Sequence, residues 1–447
     1  MVNRQIRFPV ELWVAICGLL PPKDQHSLAE SCKRLFSIVH LNPPPTVVKI
    51  DNRRLRSTEW ERKDLLHLRS ATELHWSGSR HDSVESLRLH TVISVLSIIP
   101  NIRLLSLRHT NVNEGQQAII FGLSTLRTLV VNFCYFYPWT NPIPCSHVTS
   151  LKLVRTAMET TRSLLTIFAT TVEDLDVDVY AARNVHQGGL IKFPKLSTFT
   201  MNHSAVTSGQ TMLNTLKRYT SITTLHISSL SDVSFHHSDL PALHSLTCCY
   251  RLALNLIPER PVTTYVEVYP DLEEEPLRLL DALSKTRPGI TDLKLFVPNN
   301  ICSLLPPLAT SLQHLEQLTI KLCSPVKVDP SPNHLSGKPL HNLSGARTVV
   351  LPKLKRVTIW VDGYENTGFS LAEWLLKECF IPVSPVLEEF KYLYFAGFIS
   401  AFQLYRPPEP TRAWRVRRLT DGSWERQGPP PIPTSTPTPA STLGAAP

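Results

Sequence analysis

The chain has 447 residues, 42% of them hydrophobic, with 37 Pro against 16 Gly and a formal charge of +9. That length holds two or three ordinary domains or one extended repeat array, and the proline content favours many short, stopped elements over long helices. Lys and Arg are scattered along the chain and form no stripe with interleaved aromatics, so the charge reads as a solvated surface and no nucleic-acid groove is expected. The cysteines, at 17, 32, 134, 145, 248, 249, 302, 323 and 379, never form Cys-x-x-Cys. Such a set points to reduced thiols in a cytoplasmic or nuclear protein. No secretory leader is evident, and no apolar run reaches the roughly 18 residues of a membrane span, so no membrane partner is expected.

The first informative stretch runs from Ile6 to Pro22. Pro9 suits the first position of a helix, where its missing N–H costs nothing, and Pro21 with Pro22 stops the run. Between them Val10, Leu12, Trp13, Val14, Ala15, Ile16, Cys17, Leu19 and Leu20 are broken only by Glu11 and Gly18. A helix apolar nearly all round must be covered on every side. Its sequence neighbours offer two short pieces, one with Leu28 and Ala29 and one with Leu35, Phe36, Ile38 and Val39. A piece of about forty residues buries too little surface to stand alone. The surplus apolar face is therefore covered by the rest of the chain or by a second protein.

These residues resemble the F-box, a three-helix adaptor-binding motif. Phe8 and Pro9 stand where the family has Leu-Pro, Glu11 and Leu12 where it has Glu-Leu, and Ile16 and Leu20 at its next aliphatic anchors. Asp24 opens the second helix, Leu28 holds its apolar position, and Cys32, Lys33 and Arg34 fill the Cys-Lys-Arg positions. Gln25 replaces a usual apolar residue and Leu35 a common Trp. The resemblance implies docking onto the Skp-type adaptor of a Skp–cullin–F-box (SCF) ubiquitin ligase, and through it onto a cullin–RING assembly. The adaptor-binding residues it implies are Phe8, Pro9, Leu12, Ile16, Leu20 and Leu28.

Pro43 to Pro45 make a stiff exit, and Thr46 to Ile50 read as a strand. A repeat of the form apolar-x-x-apolar-x-apolar follows: Ile102, Leu105, Leu107; Leu126, Leu129, Val131; Val148, Leu151, Leu153; Val172, Leu175, Val177. It continues through the triplets centred on Phe199, Leu225 and Leu246, and later on Leu293, Leu318 and Val357. From Leu105 to Leu246 the middle residues advance in steps of 24, 22, 24, 24, 26 and 21, the leucine-rich-repeat period. The last two apolar positions lie two apart, on one side of a short strand. Helical spacing marks Thr160 to Ala169, Thr211 to Tyr219 and Pro276 to Lys285 as returning segments. Stacked units of this kind build a solenoid with a parallel sheet on its concave side. The ladder of Asn residues is absent: Thr110, Thr156 and Pro298 occupy its positions, so the repeats are irregular.

Two segments interrupt the expected array: Val262 to Val268, which alternates like a strand and is followed by Asp271 and Glu273 to Glu275 leading into a helix at Pro276, and the unpatterned Pro/Ser/Gly/Asn/His-rich stretch from Ser324 to Gly345, read as a loop. Ala413 to Leu419 and Ser423 to Gln427 flank an Asp-Gly turn and read as a basic hairpin carrying Trp414 and Trp424.

The expected fold is thus α/β: a three-helix F-box motif over 1–45, an irregular leucine-rich-repeat-like solenoid over 46–405, a capping hairpin over 406–427 and a disordered tail over 428–447. No Gly-x-Ser-x-Gly, phosphate loop or His-Glu-x-x-His occurs, and the adjacent His236 and His237 suit neither a metal pair nor a catalytic dyad. No catalytic residue, metal or cofactor is expected. The functional expectation is a substrate-recognition subunit of an SCF ligase that holds an unidentified target protein on its repeats. The alternative is a repeat scaffold without ligase function, whose N-terminal helices cap the solenoid.

Overall fold

A computed structural model describes residues 47–51, 71–78, 96, 101–138, 147–178, 181, 191–202, 216–217, 219–227, 235–236, 238–267, 276–297, 301–322, 350–362, 372–373, 375–395 and 412–427. The F-box-like motif of residues 1–45, the stretch 324–345 and the tail from 428 lie outside the described residues. By compactness the chain divides into two units, Met1–Leu243 and His244–Pro447.

The first unit carries β1 (Val47–Asp51), β2 (Glu73–Ser77), β3 (Leu104–Arg108), β4 (Asn111–Val112), helix α1 (Glu114–Phe121), β5 (Thr128–Asn132), β6 (Tyr135–Phe136), β7 (Ser150–Val154), α2 (Met158–Phe168), β8 (Asp174–Asp178), β9 (Thr198–Asn202) and β10 (Thr224–Ile227). Its main sheet runs β1-β2-β3-β5-β7-β8-β9-β10, every pairing parallel. The short β4 and β6 pair separately. Consecutive repeats are in direct register: Leu105 opposes Leu129, Leu129 opposes Leu151, and Leu151 opposes Leu175. Each of these leucines is at most 1% exposed. Because strand side chains alternate, one row of middle residues and a second row through Leu107, Val131, Leu153 and Val177 form a continuous core wall. Each fully buried Leu or Val contributes about 1.5–3 kcal/mol, so the ladder is the main source of cohesion.

Two backbone devices keep the repeats in step. At the entry to each strand, N–H groups cross to the carbonyl of the preceding repeat: Arg127 to Arg103, Thr149 to Arg127, Glu173 to Thr149 and Ser197 to Glu173, all at 2.8–2.9 Å. On the return side, α1 starts in a capping box, Asn113 accepting from the Gln116 N–H and Gln116 from the Asn113 N–H. Gln117 then donates to the carbonyls of Val112 and Tyr137 at 3.2 and 2.7 Å, tying helix to β4 and β6. Phe121, Phe136 and Phe168, all buried, stack behind the sheet.

The second unit carries β11 (Ser245–Cys248), α3 (Tyr250–Leu256), β12 (Thr264–Glu267), α4 (Pro276–Ser284), β13 (Asp292–Val297), α5 (Ile301–Ser311), β14 (Gln317–Leu322), β15 (Arg356–Asp362), a π-helical turn (Leu375–Phe380), β16 (Glu389–Phe395), β17 (Arg412–Arg418) and β18 (Trp424–Gln427). Pairings from β11 to β16 are parallel, and β17 and β18 add on antiparallel. The expected interruption at 262–268 is overturned: β12 lies in the ladder between β11 and β13. Its triplet is Val262, Tyr265 and Glu267, and the carboxylate is tolerated in an apolar slot because it accepts the Phe296 N–H at 2.9 Å.

Of the expected returning helices, two are found as α2 and α4, while Thr211 to Tyr219 lies largely outside the described residues. The hairpin segment continues the sheet: Trp414 opposes Tyr392, is 7% exposed, and meets the Phe390 ring edge-on at 5.8 Å. Its turn uses Gly422 at φ +86, with the Asp421 carboxylate accepting from the Ser423 N–H at 2.9 Å and hydroxyl at 2.6 Å.

Candidate functional site

Alternation along each strand leaves a second face. In the first unit, the residues between the core positions are half-buried and mostly polar: Glu73 and His75 on β2, Thr128 and Val130 on β5, Ser150 and Lys152 on β7, Asp174 and Asp176 on β8. Two polar contacts cross between β7 and β8: Lys152 is ion-paired with Asp176, and the Ser150 hydroxyl donates to Asp174 at 2.9 Å. Within β2, His75 Nε2 lies 3.5 Å from Glu73.

At the carboxyl end of the strands this face changes character. His109, Phe133 and Arg155 each follow the last residue of β3, β5 and β7, and each sits in the left-handed region at φ 50, 53 and 50. That conformation costs roughly 1–2 kcal/mol for a side chain with a Cβ. It is held by a second backbone ladder, in which the N–H of His109 donates to Asn132 O and that of Phe133 to Val154 O, both at 2.9 Å. The Arg155 N–H finds the Asp178 carboxylate instead, at 2.6 Å, and the same carboxylate takes the Ala181 N–H at 2.9 Å. The side chains stack along the rim: the His109 and Phe133 rings lie 4.8 Å apart at 26°, and the Arg155 guanidinium sits 5.1 Å from the Phe133 centroid.

Directly beneath runs a buried column of Thr110, Cys134 and Thr156, the positions at which the regular repeat carries Asn or Cys. Thr110 donates to Arg108 O at 2.9 Å and the Cys134 thiol to Asn132 O at 3.3 Å, each bonding the carbonyl two residues back. Thr156 pairs with the Thr161 hydroxyl at 2.7 Å. Small hydrogen-bonding side chains thus take the place of the missing Asn ladder and turn the chain out of the strand.

In the second unit the corresponding outward positions are Phe296, Lys321 and Trp360, exposed by only 9%, 1% and 5%. The Lys321 ammonium lies 5.2 Å from the Phe296 ring centroid. Arg260, 2% exposed, donates to the Leu256 carbonyl at 2.7 Å and so closes the C-terminus of α3. Burial raises the Cys248 thiol and the Tyr265 phenol well above their ordinary pKa values, and pushes the Cys134 thiol up to about 12. A thiol held protonated is a packing group and a poor nucleophile. Among the described residues no cluster of three or more His, Cys, Asp or Glu gathers into a metal-binding group, and no helix is long and apolar enough to cross a membrane.

The six residues that the sequence marks for adaptor binding, Phe8, Pro9, Leu12, Ile16, Leu20 and Leu28, lie outside the described residues. The rim column of His109, Phe133 and Arg155 was not marked by the sequence at all. No protein-family model matches the chain, and no curated protein matches it. Among solved structures, the chain is similar to that in the crystal structure of a TLR13–ssRNA13 complex, at 11% identity and a TM-score of 0.21, over 72% of this chain and 62% of that one. At that score the likeness carries no argument about fold detail or function.

Proposed function

We propose that the chain is a non-catalytic substrate receptor of an SCF-type ubiquitin ligase, in which residues 1–45 form an F-box that docks on a Skp-type adaptor. The two units act as irregular leucine-rich-repeat solenoids that hold a target protein on the open side of their sheets. The observation that carries the receptor half is the half-buried, mostly polar face of the parallel ladder in the first unit. It has the makings of a protein-binding surface and none of a reaction centre. The adaptor half rests on the register of Phe8, Pro9, Leu12, Ile16, Leu20 and Leu28. Tethering a target beside a ubiquitin-charged enzyme turns a bimolecular encounter into a local one, so the receptor accelerates transfer by proximity alone.

The test is capture of a purified Skp-type adaptor by the full chain. Capture is expected at micromolar concentration or tighter. Helical spacing sets Leu12, Ile16 and Leu20 in one stripe, and truncating a buried anchor costs about 2 kcal/mol, roughly thirtyfold in affinity. Leu12→Ala with Ile16→Ala is therefore expected to abolish capture while leaving the circular dichroism and melting of the sheet units unchanged. A wild-type chain that ignores the adaptor, or a double mutant that binds undiminished, refutes the ligase reading and leaves a repeat scaffold.

A further inference from the structure

We infer that the rim column of His109, Phe133 and Arg155, with the adjoining Arg108, is a docking site for an acidic, aromatic-bearing peptide segment of a target protein. This deepens the receptor reading and rests on it for the idea of a target. The turn at the strand ends requires only a positive φ, which glycine takes without strain. The imidazole, phenyl and guanidinium groups are surplus to that requirement, and they stack outside the core on the rim. Phe133 is half-buried and Arg155 exposed, and Tyr137, 48% exposed, stands edge-on to the Tyr135 ring at 5.1 Å. Aromatic residues with Arg are the side chains that dominate protein-binding hot spots.

Charge identifies the occupant. Arg108 and Arg155 are exposed, and neither guanidinium makes an ion pair among the described residues. They belong to β3 and to the end of β7, two strand spacings apart, about 10 Å. An extended peptide rises about 3.3 Å per residue and its side chains alternate between faces, so carboxylates four residues apart, about 13 Å, share one face within reach of the two long Arg side chains, with an aromatic side chain midway on that face meeting the stack. Arg takes carboxylates bidentately. A nucleic-acid strand, charged at every phosphate, suits the rim less well, because beyond Arg155 it runs on over β8 with Asp174, Asp176 and Asp178, whereas a short segment with two carboxylates ends at Arg155.

The experiment measures binding of a fluorescent peptide that repeats Glu-Ser-Phe-Ser four times to the full chain, by anisotropy, beside the same peptide with Gln for Glu and an oligouridylate of equal length. The acidic peptide is expected to bind at about 100 μM or tighter, and its Gln version at least about tenfold more weakly. Arg155→Ala and Phe133→Gly are each expected to lower affinity by about tenfold or more, with Arg155→Lys recovering part of the loss because it keeps charge but not the planar fork. Phe133→Gly is also expected to melt no lower than the wild type, since glycine relieves the left-handed residue. The inference falls if the acidic peptide fails to bind, if the oligouridylate binds more tightly through the same arginine, or if Phe133→Gly lowers the melting temperature and leaves peptide affinity unchanged. Adaptor capture by the same preparations, which depends on residues 1–45, separates failure here from failure of the ligase reading.

Discussion

The two units carry the same triplet and end their strands differently. In the first, β3, β5 and β7 stop one residue past the last core position, and the next residue turns left-handed. In the second, β13, β14 and β15 run on through Phe296-Val297, Lys321-Leu322 and Trp360-Val361. The difference is local chemistry. Thr110 and Cys134 hydrogen-bond the carbonyl two residues back and pull the chain out of the sheet, whereas Val297, Leu322 and Val361 favour extended backbone. β13 and β14 are one residue longer at this end and β15 two, and the outward residue just past the last core position is exposed at Arg108 and half-buried at Asn132 and Val154 but buried at Phe296, Lys321 and Trp360. The same repeat therefore leaves this row partly exposed in one unit and buries it in the other.

The sharpest way to break that comparison is to truncate the same outward position in each unit. Trp360→Ala removes a large side chain that is 5% exposed and is expected to cost about 3–5 kcal/mol. Val154→Ala, one position past the last core residue of a first-unit repeat and half-buried, is expected to cost no more than about 0.5 kcal/mol. Hydrogen exchange in rising denaturant, which reports each unit by its own peptides, distinguishes the two. Equal losses would mean that the outward rows are energetically alike.

How far the sequence reveals this arrangement depends on what fills the slots. Where all three triplet positions are aliphatic, as at Leu126, Leu129 and Val131, period and strand are legible directly. The units at Ala71, Leu74 and Trp76, at Val262, Tyr265 and Glu267, and at Leu387, Phe390 and Tyr392 went unmarked, because small, charged or aromatic residues stand where aliphatic ones are sought. The left-handed column left no trace either. Glycine announces a positive φ in a sequence, but His109, Phe133 and Arg155 do not, since their conformation is imposed by the interstrand ladder of N–H donors.

The end of the second unit extends the contrast. Trp414 brings a hairpin into the core row beside Tyr392 and Phe390, so the sheet ends in a charged edge strand and not in an open hydrophobic row. Trp414→Ala is expected to cost about 3 kcal/mol and to loosen β16 before β13, measured by the same exchange experiment. Uniform loosening would show that the hairpin does not close that end. In the first unit, the column under the rim tolerates exchange among its own residue types. Cys134→Thr is expected to be neutral within about 0.5 kcal/mol, because Thr110 already makes the equivalent bond, while Cys134→Ala loses that bond and costs about 1 kcal/mol.

The smallest effect concerns a carboxylate that the first unit handles well and the second does not. Asp174 accepts the Ser150 hydroxyl and Asp176 pairs with Lys152. Asp292, at the start of β13, has its buried Oδ1 without a hydrogen-bond partner. Burial raises its pKa above the ordinary carboxylate value, and nearby Lys294 and Arg356 offset this only in part. A carboxyl with a raised folded pKa binds its proton more tightly in the folded chain than in the unfolded one. Stability therefore falls as pH rises from the unfolded value near about 3.9 through the raised folded value, and the penalty is fully present at neutral pH. Asp292→Asn keeps the shape, removes the charge and is expected to stabilise the second unit by about 0.5 kcal/mol at pH 7, with no gain near pH 3. Denaturant midpoints at both pH values test this. A variant less stable than the wild type at pH 7 would mean that attraction to Lys294 and Arg356 outweighs the desolvation of the carboxylate.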